Sequence, residues 1–161
     1  MDMNEKIYRE KNYHYRVKRG ESEIIRYEGM GEIVRIPNML GGRAVTSIDR
    51  EAFAGNKTIR CVSFPKTMRR IGEGAFRTCE SLEEAWFNYE LKVIEDHAFQ
   101  ACRNLGNVVL PMKTAVSELA FSGCENIRKF RLCMLGTFNH GRSTDIWSQK
   151  RMLIRGFEAD S

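Results

Sequence analysis

Three cysteines recur at one position of a repeated pattern, and cysteine thiolates are common zinc ligands. Cys79, Cys102 and Cys124 each follow a repeated phenylalanine by three residues. Stacked repeats would place them about 5 Å apart, the spacing between neighbouring strands. Zinc sites usually use paired short spacings, but the chain has no Cys-x-x-Cys pair and the first repeat has Asn56 at this position. We therefore expect buried, reduced thiols that pack as small hydrophobic residues, with no metal and no other cofactor.

The three histidines are the other residues that could take part in catalysis. His14, His97 and His140 share no spacing that would bring them together. A cysteine and a histidine can still meet in space and form a nucleophile pair, which sequence spacing does not reveal. The chain shows no glycine-rich phosphate loop, and no acid and base stand at suggestive spacing. We predict that the protein is not an enzyme.

A repeat organises most of the chain and fixes the positions of these cysteines. The pair Ala-Phe occurs four times, with phenylalanines 23, 23 and 22 residues apart. This period is typical of leucine-rich repeats. Further apolar residues lie five residues before and six residues after each phenylalanine. The three aligned sets are Ile48, Ile71, Ile94 and Val116; Phe53, Phe76, Phe99 and Phe121; and Ile59, Leu82, Leu105 and Ile127.

Each repeat also contains a segment in which apolar residues alternate, which indicates a β-strand. In the second repeat, for example, Ala85 and Phe87 are predicted to point inward. A turn follows, twice beginning at a proline, Pro65 or Pro111, and we expect a tight helical segment around the Ala-Phe pair. Each such coil needs a neighbour to bury its apolar edge, so the pattern predicts a solenoid.

The segments VTSIDREAFAGNKTIRCVSFP, RRIGEGAFRTCESLEEAWF and KVIEDHAFQACRNLGNVVLP resemble the BspA-type leucine-rich repeats of bacterial proteins. The resemblance covers residues 45–133. Residues 31–44, GEIVRIPNMLGGRA, are similar to the strand and glycine-rich loop that commonly precede the first repeat in that family. The resemblance implies a curved solenoid used for contact with other proteins and, in secreted members, for adhesion.

We predict an α/β fold, a right-handed leucine-rich-repeat solenoid with short parallel strands on one face and a single domain over residues 1–161. Residues 1–44 are predicted to form an N-terminal β cap, with a hairpin of YHYRV and EIIRY around Gly20. Residues 45–133 are predicted to form four leucine-rich repeats of about 23 residues. Residues 134–161, which include Trp147 and Phe157, are predicted to form a C-terminal cap.

Composition bears on the compartment. The first twenty residues carry charge throughout and lack the apolar run of a signal peptide, and no later segment is apolar enough for a membrane span. Five cysteines, an odd number, fit reduced thiols better than a disulfide framework. We expect a cytoplasmic bacterial protein.

The outward positions of the predicted strands form the surface most suited to binding, because inward positions are fixed by packing. Trp86 is predicted to be its centre, since tryptophan is enriched at binding hot spots. The alternative is that Trp86 folds over Glu84 and Arg131, or packs against the caps. The predicted binding residues form two rows: Arg35, Ser63, Trp86, Val109 and Arg131 in the first, and Glu84, Asn107 and Lys129 in the second. The second row also contains Ile33 and Cys61. A third row consists of Glu32, Arg60, Glu83, Gly106 and Arg128.

These features favour a protein–protein interaction module that binds through its strand face, with a partner the sequence does not identify. The alternative is binding of nucleic acid or another polyanion through basic residues of the last strand and the N-terminal cap. Nucleic-acid binders usually concentrate basic residues on one face. Here residues 45–133 hold thirteen Lys/Arg against eleven Asp/Glu, so the charge does not favour a nucleic-acid partner. The residues concerned are Arg128, Lys129, Arg131, Lys18 and Arg19.

Overall fold

A computed structural model describes residues 5–133, with the backbone alone for Lys129 and residues 131–133. All regular structure in this part of the chain is β-strand, and no helix in it is long and apolar enough to cross a membrane. The predicted C-terminal cap lies outside the described residues. The strands are β1 (Ile7–Glu10), β2 (Tyr13–Lys18), β3 (Glu21–Tyr27), β4 (Ile33–Arg35), β5 (Met39–Leu40), β6 (Arg43–Ile48), β7 (Cys61–Ser63), β8 (Arg70–Ile71), β9 (Glu84–Trp86), β10 (Val93–Ile94), β11 (Asn107–Pro111), β12 (Ala115–Val116) and β13 (Lys129–Cys133).

A parallel sheet of five strands, in the order β13-β11-β9-β7-β4, contains the predicted repeat strands. The middle residue of each short strand is buried, and the residues on either side are exposed or half-buried, as the alternating pattern predicts. The predicted strand positions and their register are therefore confirmed. The buried row is Val34, Val62, Ala85 and Val108.

A second sheet runs through every repeat, and sequence reasoning missed it. Its strand order is β1-β2-β3-β6-β8-β10-β12, and β5 pairs with β6 at its side. The repeated isoleucines lie in register on its parallel strands, Ile48 beside Ile71 and Ile71 beside Ile94. Their side chains enter the same core as the buried row of the five-stranded sheet. Each coil is therefore a strand, a turn, a second strand and another turn.

The helical segment expected around each Ala-Phe pair is not confirmed, and neither is the α/β class, because these residues form turns. Backbone N–H groups there alternate between two kinds of acceptor. In the first repeat, Ala52 and Ala54 donate to carbonyls three residues earlier, whereas Phe53 donates to the carbonyl of Ala75 in the next coil. A helix would bond every N–H within its own segment, so bonding between coils excludes it.

Left-handed residues reinforce these turns, and one of them is a threonine. The position two residues after the repeated phenylalanine has a positive φ in all four repeats, with glycine at Gly55 and Gly123 but Thr78 (φ 57°) and Ala101 (φ 57°) in between. The left-handed conformation costs a non-glycine residue about 1–2 kcal/mol.

Replacing Thr78 by glycine should therefore stabilise the protein. Thr78 is exposed, and its hydroxyl bonds only to the adjacent Arg77 carbonyl at 2.7 Å, so the substitution loses little packing. After allowance for the greater freedom of glycine in the unfolded chain, we expect a gain of about 0.5–1 kcal/mol in urea denaturation. Ala54→Gly, at a turn position without a positive φ, is the control and should destabilise. A loss of stability in Thr78→Gly would contradict this account.

Aromatic rings form a ladder through the core at the repeated phenylalanine. Phe53, Phe76, Phe99 and Phe121 stack at centroid distances of 4.6, 5.1 and 5.2 Å, and Tyr27 extends the stack beyond Phe53 at 4.8 Å. Offset-stacked rings at these distances add to the free energy gained from burial alone. The ladder fixes the register of the coils and, through them, the register of the five-stranded sheet.

The predicted N-terminal hairpin is observed. Strands β2 and β3 pair antiparallel, and the turn between them has positive φ at both Arg19 and Gly20, the geometry of the favoured two-residue hairpin loop. Strand β3 then pairs parallel with β6. The hairpin thus extends the eight-stranded sheet, and its strands are not part of the five-stranded sheet.

Candidate functional site

The outward side of the five-stranded sheet, which we call the strand face, carries the two predicted rows. Arg35, Ser63, Trp86, Val109 and Arg131 are direct neighbours across the strands, as are Ile33, Cys61, Glu84, Asn107 and Lys129. The structure therefore brings all eight predicted binding residues onto one face. For Lys129 and Arg131 this holds for the backbone, because their side chains lie outside the described part.

Trp86 lies at the centre of the strand face and is 64% exposed. Its indole Nε1–H donates a hydrogen bond to Oε2 of Glu84 at 2.8 Å. Glu84 and Trp86 are two residues apart on one strand, so both side chains project from the same side of the sheet. The indole edge contacts the Glu84 carboxylate, whereas the Arg131 side chain of the alternative lies outside the described part. The ring nevertheless stays in solvent.

The surroundings of Trp86 are small or apolar. Ser63 and Val109 are its neighbours on the adjacent strands, and Val109 is 37% exposed. Arg35, at the open end of the same row, is exposed, as is Asn107 in the neighbouring row. Ile33, at 68% exposure, adds a second large apolar side chain to the face. The face therefore joins exposed apolar area to isolated polar groups, the composition of a protein-binding surface.

Charges beside the strand face are partly compensated. Arg60 Nε and Nη2 bond to the two carboxylate oxygens of Glu83 at 3.1 and 3.2 Å, and Arg60 Nη1 lies 3.8 Å from Glu32. The contact with Glu83 raises the pKa of Arg60 above its usual range. Glu84 has a different environment: its contacts are the Trp86 indole and the Cys61 thiol, at 2.8 and 3.5 Å. Neither group carries a positive charge.

The repeats themselves decide the family. A model of the BspA-type leucine-rich repeat region matches residues 33–139 in six copies. The chain belongs to the BspA-type leucine-rich repeat family. The matched region covers every strand of the strand face, and it begins at β4, in the segment that the sequence analysis placed ahead of the first repeat.

Solved leucine-rich repeat proteins have the same fold. One from Bacteroides capillosus has a TM-score of 0.71 at 20% identity, covering 79% of this chain and 99% of that one. One from T. pallidum has a TM-score of 0.61 at 24% identity, with coverage of 81% and 84%. One from Bacteroides ovatus has a TM-score of 0.62 at 23% identity, with coverage of 78% and 41%. No curated protein matches the chain significantly. At these identities the likeness shows the fold alone.

The cysteines of the BspA-type repeats serve the packing of the coils. Cys79, Cys102 and Cys124 are buried and free, which confirms the predicted burial. Each thiol donates to the carbonyl of the repeated phenylalanine in the preceding coil, at 3.2, 3.1 and 3.0 Å. Among the described side chains, no group of three or more metal-ligating residues could hold an ion. The absence of metal from the isolated protein stays a prediction.

Burial also raises the pKa of the Cys79 thiol to about 12, and hydrogen bonding with Cys124 together with burial raises that of Cys102. Because the thiolate is the reactive form, Cys79 and Cys102 should resist a thiol reagent at neutral pH, and Cys124 should resist it because its side chain is buried. Half-buried Cys61 on the strand face should be labelled first. Burial and the nearby Glu84 raise its pKa too, so its labelling rate should rise with pH.

Mass spectrometry of folded protein measures the order in which the thiols are labelled. A Cys133→Ser background is used because the Cys133 side chain lies outside the described part. Labelling of Cys102 as fast as that of Cys61 would show that the thiol column is not packed as described. Denatured protein, in which all four thiols should react, is the control.

The histidines do not assemble a site in the described part of the BspA-type fold. His14 lies on β2 and its Nε2 is 3.0 Å from Glu28, while His97 occupies a left-handed position (φ 58°) in the third turn. His140 lies outside the described residues. The structure therefore does not pair His14 or His97 with Cys61, the thiol that faces solvent.

An ion-pair network on the outer side of the eight-stranded sheet was missed by sequence reasoning. Buried Glu23 accepts from Arg16 Nε at 2.6 Å and from Arg70 Nη1 at 3.0 Å, and Arg70 also bonds Glu95 at 2.7 Å. Part of the signal was available, because Arg70 directly precedes the repeated Ile71 and Glu95 directly follows the repeated Ile94. The charges satisfy one another, so the network ties the hairpin to the repeats.

The residues of the polyanion alternative are not brought together. Lys18 and Arg19 lie at the hairpin turn of the eight-stranded sheet, at the N-terminal end of the stack. Arg128 precedes the last strand of the five-stranded sheet, four strands away from β4 and thus about 19 Å along the stack. These two groups do not form the single basic face that nucleic-acid binding requires.

Proposed function

We propose that this chain is a protein-interaction module that binds one face of a partner protein through the strand face and performs no catalysis. The observation that carries the proposal is the exposure of Trp86. Every phenylalanine of the aromatic ladder is buried, whereas this tryptophan stands in solvent at the centre of a rigid parallel sheet. Tryptophan so placed is the residue type that most often supplies binding energy at protein interfaces.

The repeat architecture supports this function. Solenoids stack their units into extended surfaces that proteins use for binding, and a leucine-rich repeat chain without a cofactor motif fits a scaffold better than an enzyme. Four buried side chains that could do chemistry have structural partners: Cys79, Cys102 and Cys124 bond backbone carbonyls, and Glu23 is held by two arginines. The strand face retains the exposed, chemically varied residues.

The test is affinity capture from lysate of the native host with a blocked face. Ser63→Arg places a long charged side chain beside Trp86 without entering the core, since Ser63 points outward. Leu119→Arg, on a turn away from the strand face and 41% exposed before substitution, is the matched control. Partners retained by wild type and Leu119→Arg but lost with Ser63→Arg would support the strand face. Equal retention by all three proteins would refute it.

We also propose that the protein acts in the cytoplasm. The free, buried thiols support this location, since reduced cysteines are the rule there and disulfides the exception. Fractionation of host cells with an antibody against the chain tests the proposal, and recovery in the culture medium or on the cell surface would overturn it.

A further inference from the structure

We propose that Trp86 and Glu84 form a subsite for one cationic side chain, lysine or arginine, of the partner. The inference rests on the proposed function of the strand face and adds the chemistry of what it recognises. The two residues present an aromatic ring and a carboxylate side by side in solvent, joined by the 2.8 Å bond from Nε1 to Oε2. A guanidinium or ammonium group is attracted to both.

The hydrogen bond orients the ring before any partner arrives. A free tryptophan side chain on a surface samples several rotamers, and binding would have to select one. Here the indole N–H is held by the carboxylate two residues earlier on the same strand. The ring and the carboxylate are therefore fixed relative to each other, which lowers the entropic cost of capturing a cation between them.

The charge balance separates Glu84 from its neighbour Glu83. Both oxygens of Glu83 are bonded by Arg60, so its charge is already paired. Glu84 receives hydrogen bonds from an indole and a thiol, and no arginine or lysine among the described side chains forms an ion pair with it. Among the described side chains its negative charge is therefore unpaired, and it can attract an incoming cation.

The residues around the ring suit the rest of such a side chain. Ser63 on one adjacent strand is small, and Val109 on the other is apolar and partly exposed. Long cationic side chains lay their aliphatic stems on apolar surface while the charged end reaches a polar group. A stem over Val109 with its charge at Glu84 and Trp86 satisfies both requirements.

The direct test is an NMR titration with N-acetyl-arginine amide, with the neutral isostere N-acetyl-citrulline amide as control. The chain has two tryptophans, so a Trp147→Phe background identifies the indole N–H signal of Trp86. We expect a saturable shift of that signal with the arginine amide, at a dissociation constant on the order of tens of millimolar because each exposed contact is weak. The citrulline amide should give no saturable shift.

Two matched variants locate the charge. Glu84→Gln keeps an acceptor for the indole but removes the charge, and should weaken the arginine amide about fivefold. Glu83→Gln, whose charge is already paired, should change its affinity less than about twofold. Equal shifts from both amides, or equal effects of the two variants, would overturn the cation subsite. If the subsite fails while Ser63→Arg still loses captured partners, the proposed function stands without it.

Discussion

Phe99→Ala should lower the free energy of unfolding by about 3–5 kcal/mol, the range for large-to-small changes in a packed core. Phe99 is fully buried, stacked between Phe76 and Phe121 at 5.1 and 5.2 Å, and it meets Phe87 edge-on at 5.6 Å. Alanine removes the ring and leaves a cavity between two coils. The backbone bond from Phe99 N–H to the Ala120 carbonyl remains available, so the loss reports on packing.

Urea denaturation followed by circular dichroism measures the effect, with Leu119→Ala as an exposed control. In a solenoid each coil contacts its neighbours alone, so a cavity in the third coil can also separate the two halves of the stack. We therefore expect a smaller m-value or a second transition in Phe99→Ala, and not in the control. A loss below about 1 kcal/mol would mean that Phe99 is not part of the core.

The strands of the five-stranded sheet were predictable because two periods reinforce each other there. Alternation assigned Ala85 to the inside and Trp86 to the outside, and the 23-residue repeat then aligned Trp86 with Val109. Since a shift of one residue would turn every side chain to the wrong face, agreement of both periods leaves one register. The rows of the strand face followed without knowledge of the rest of the fold.

The second sheet could not be recognised in the same way. Its repeat strands, such as Arg70–Ile71 and Val93–Ile94, are two residues long, which is too short for alternation to appear. The sequence predicted helical segments at the Ala-Phe turns because a short helix and a compact turn with one buried face give the same apolar pattern. What distinguishes them is the bonding of Phe53 N–H to the next coil, and that depends on neighbours the local sequence does not contain.

The candidate site shows the same limit at the level of side chains. The sequence places Glu84 and Trp86 on one side of a strand, but it does not determine that the indole bonds the carboxylate. In the structure Arg60 bonds the neighbouring Glu83, and Cys61 on the adjacent strand contacts Glu84. Both contacts cross between coils, so they become visible in the assembled sheet.

Trp86→Ala should weaken binding of a partner identified by capture about thirtyfold, because truncation of a hot-spot residue costs about 2 kcal/mol or more. The ring is 64% exposed and its one hydrogen bond lies at the surface, so the thermal midpoint should hardly change. Immobilised partner and surface plasmon resonance measure the affinity, and calorimetry measures the midpoint. Most of the effect should appear in the dissociation rate.

Leu119→Ala removes exposed apolar area on a turn and should leave the affinity unchanged, which separates the strand face from general surface hydrophobicity. Trp86→Phe keeps a ring but loses the bond to Glu84, so its affinity should fall between those of wild type and Trp86→Ala. If Trp86→Ala instead lowers the thermal midpoint by many degrees and the folded fraction binds as wild type does, the tryptophan serves stability. Binding would then have to be assigned to the turns or to the outer side of the eight-stranded sheet, where the Arg16 and Arg70 ion pairs already satisfy most charges.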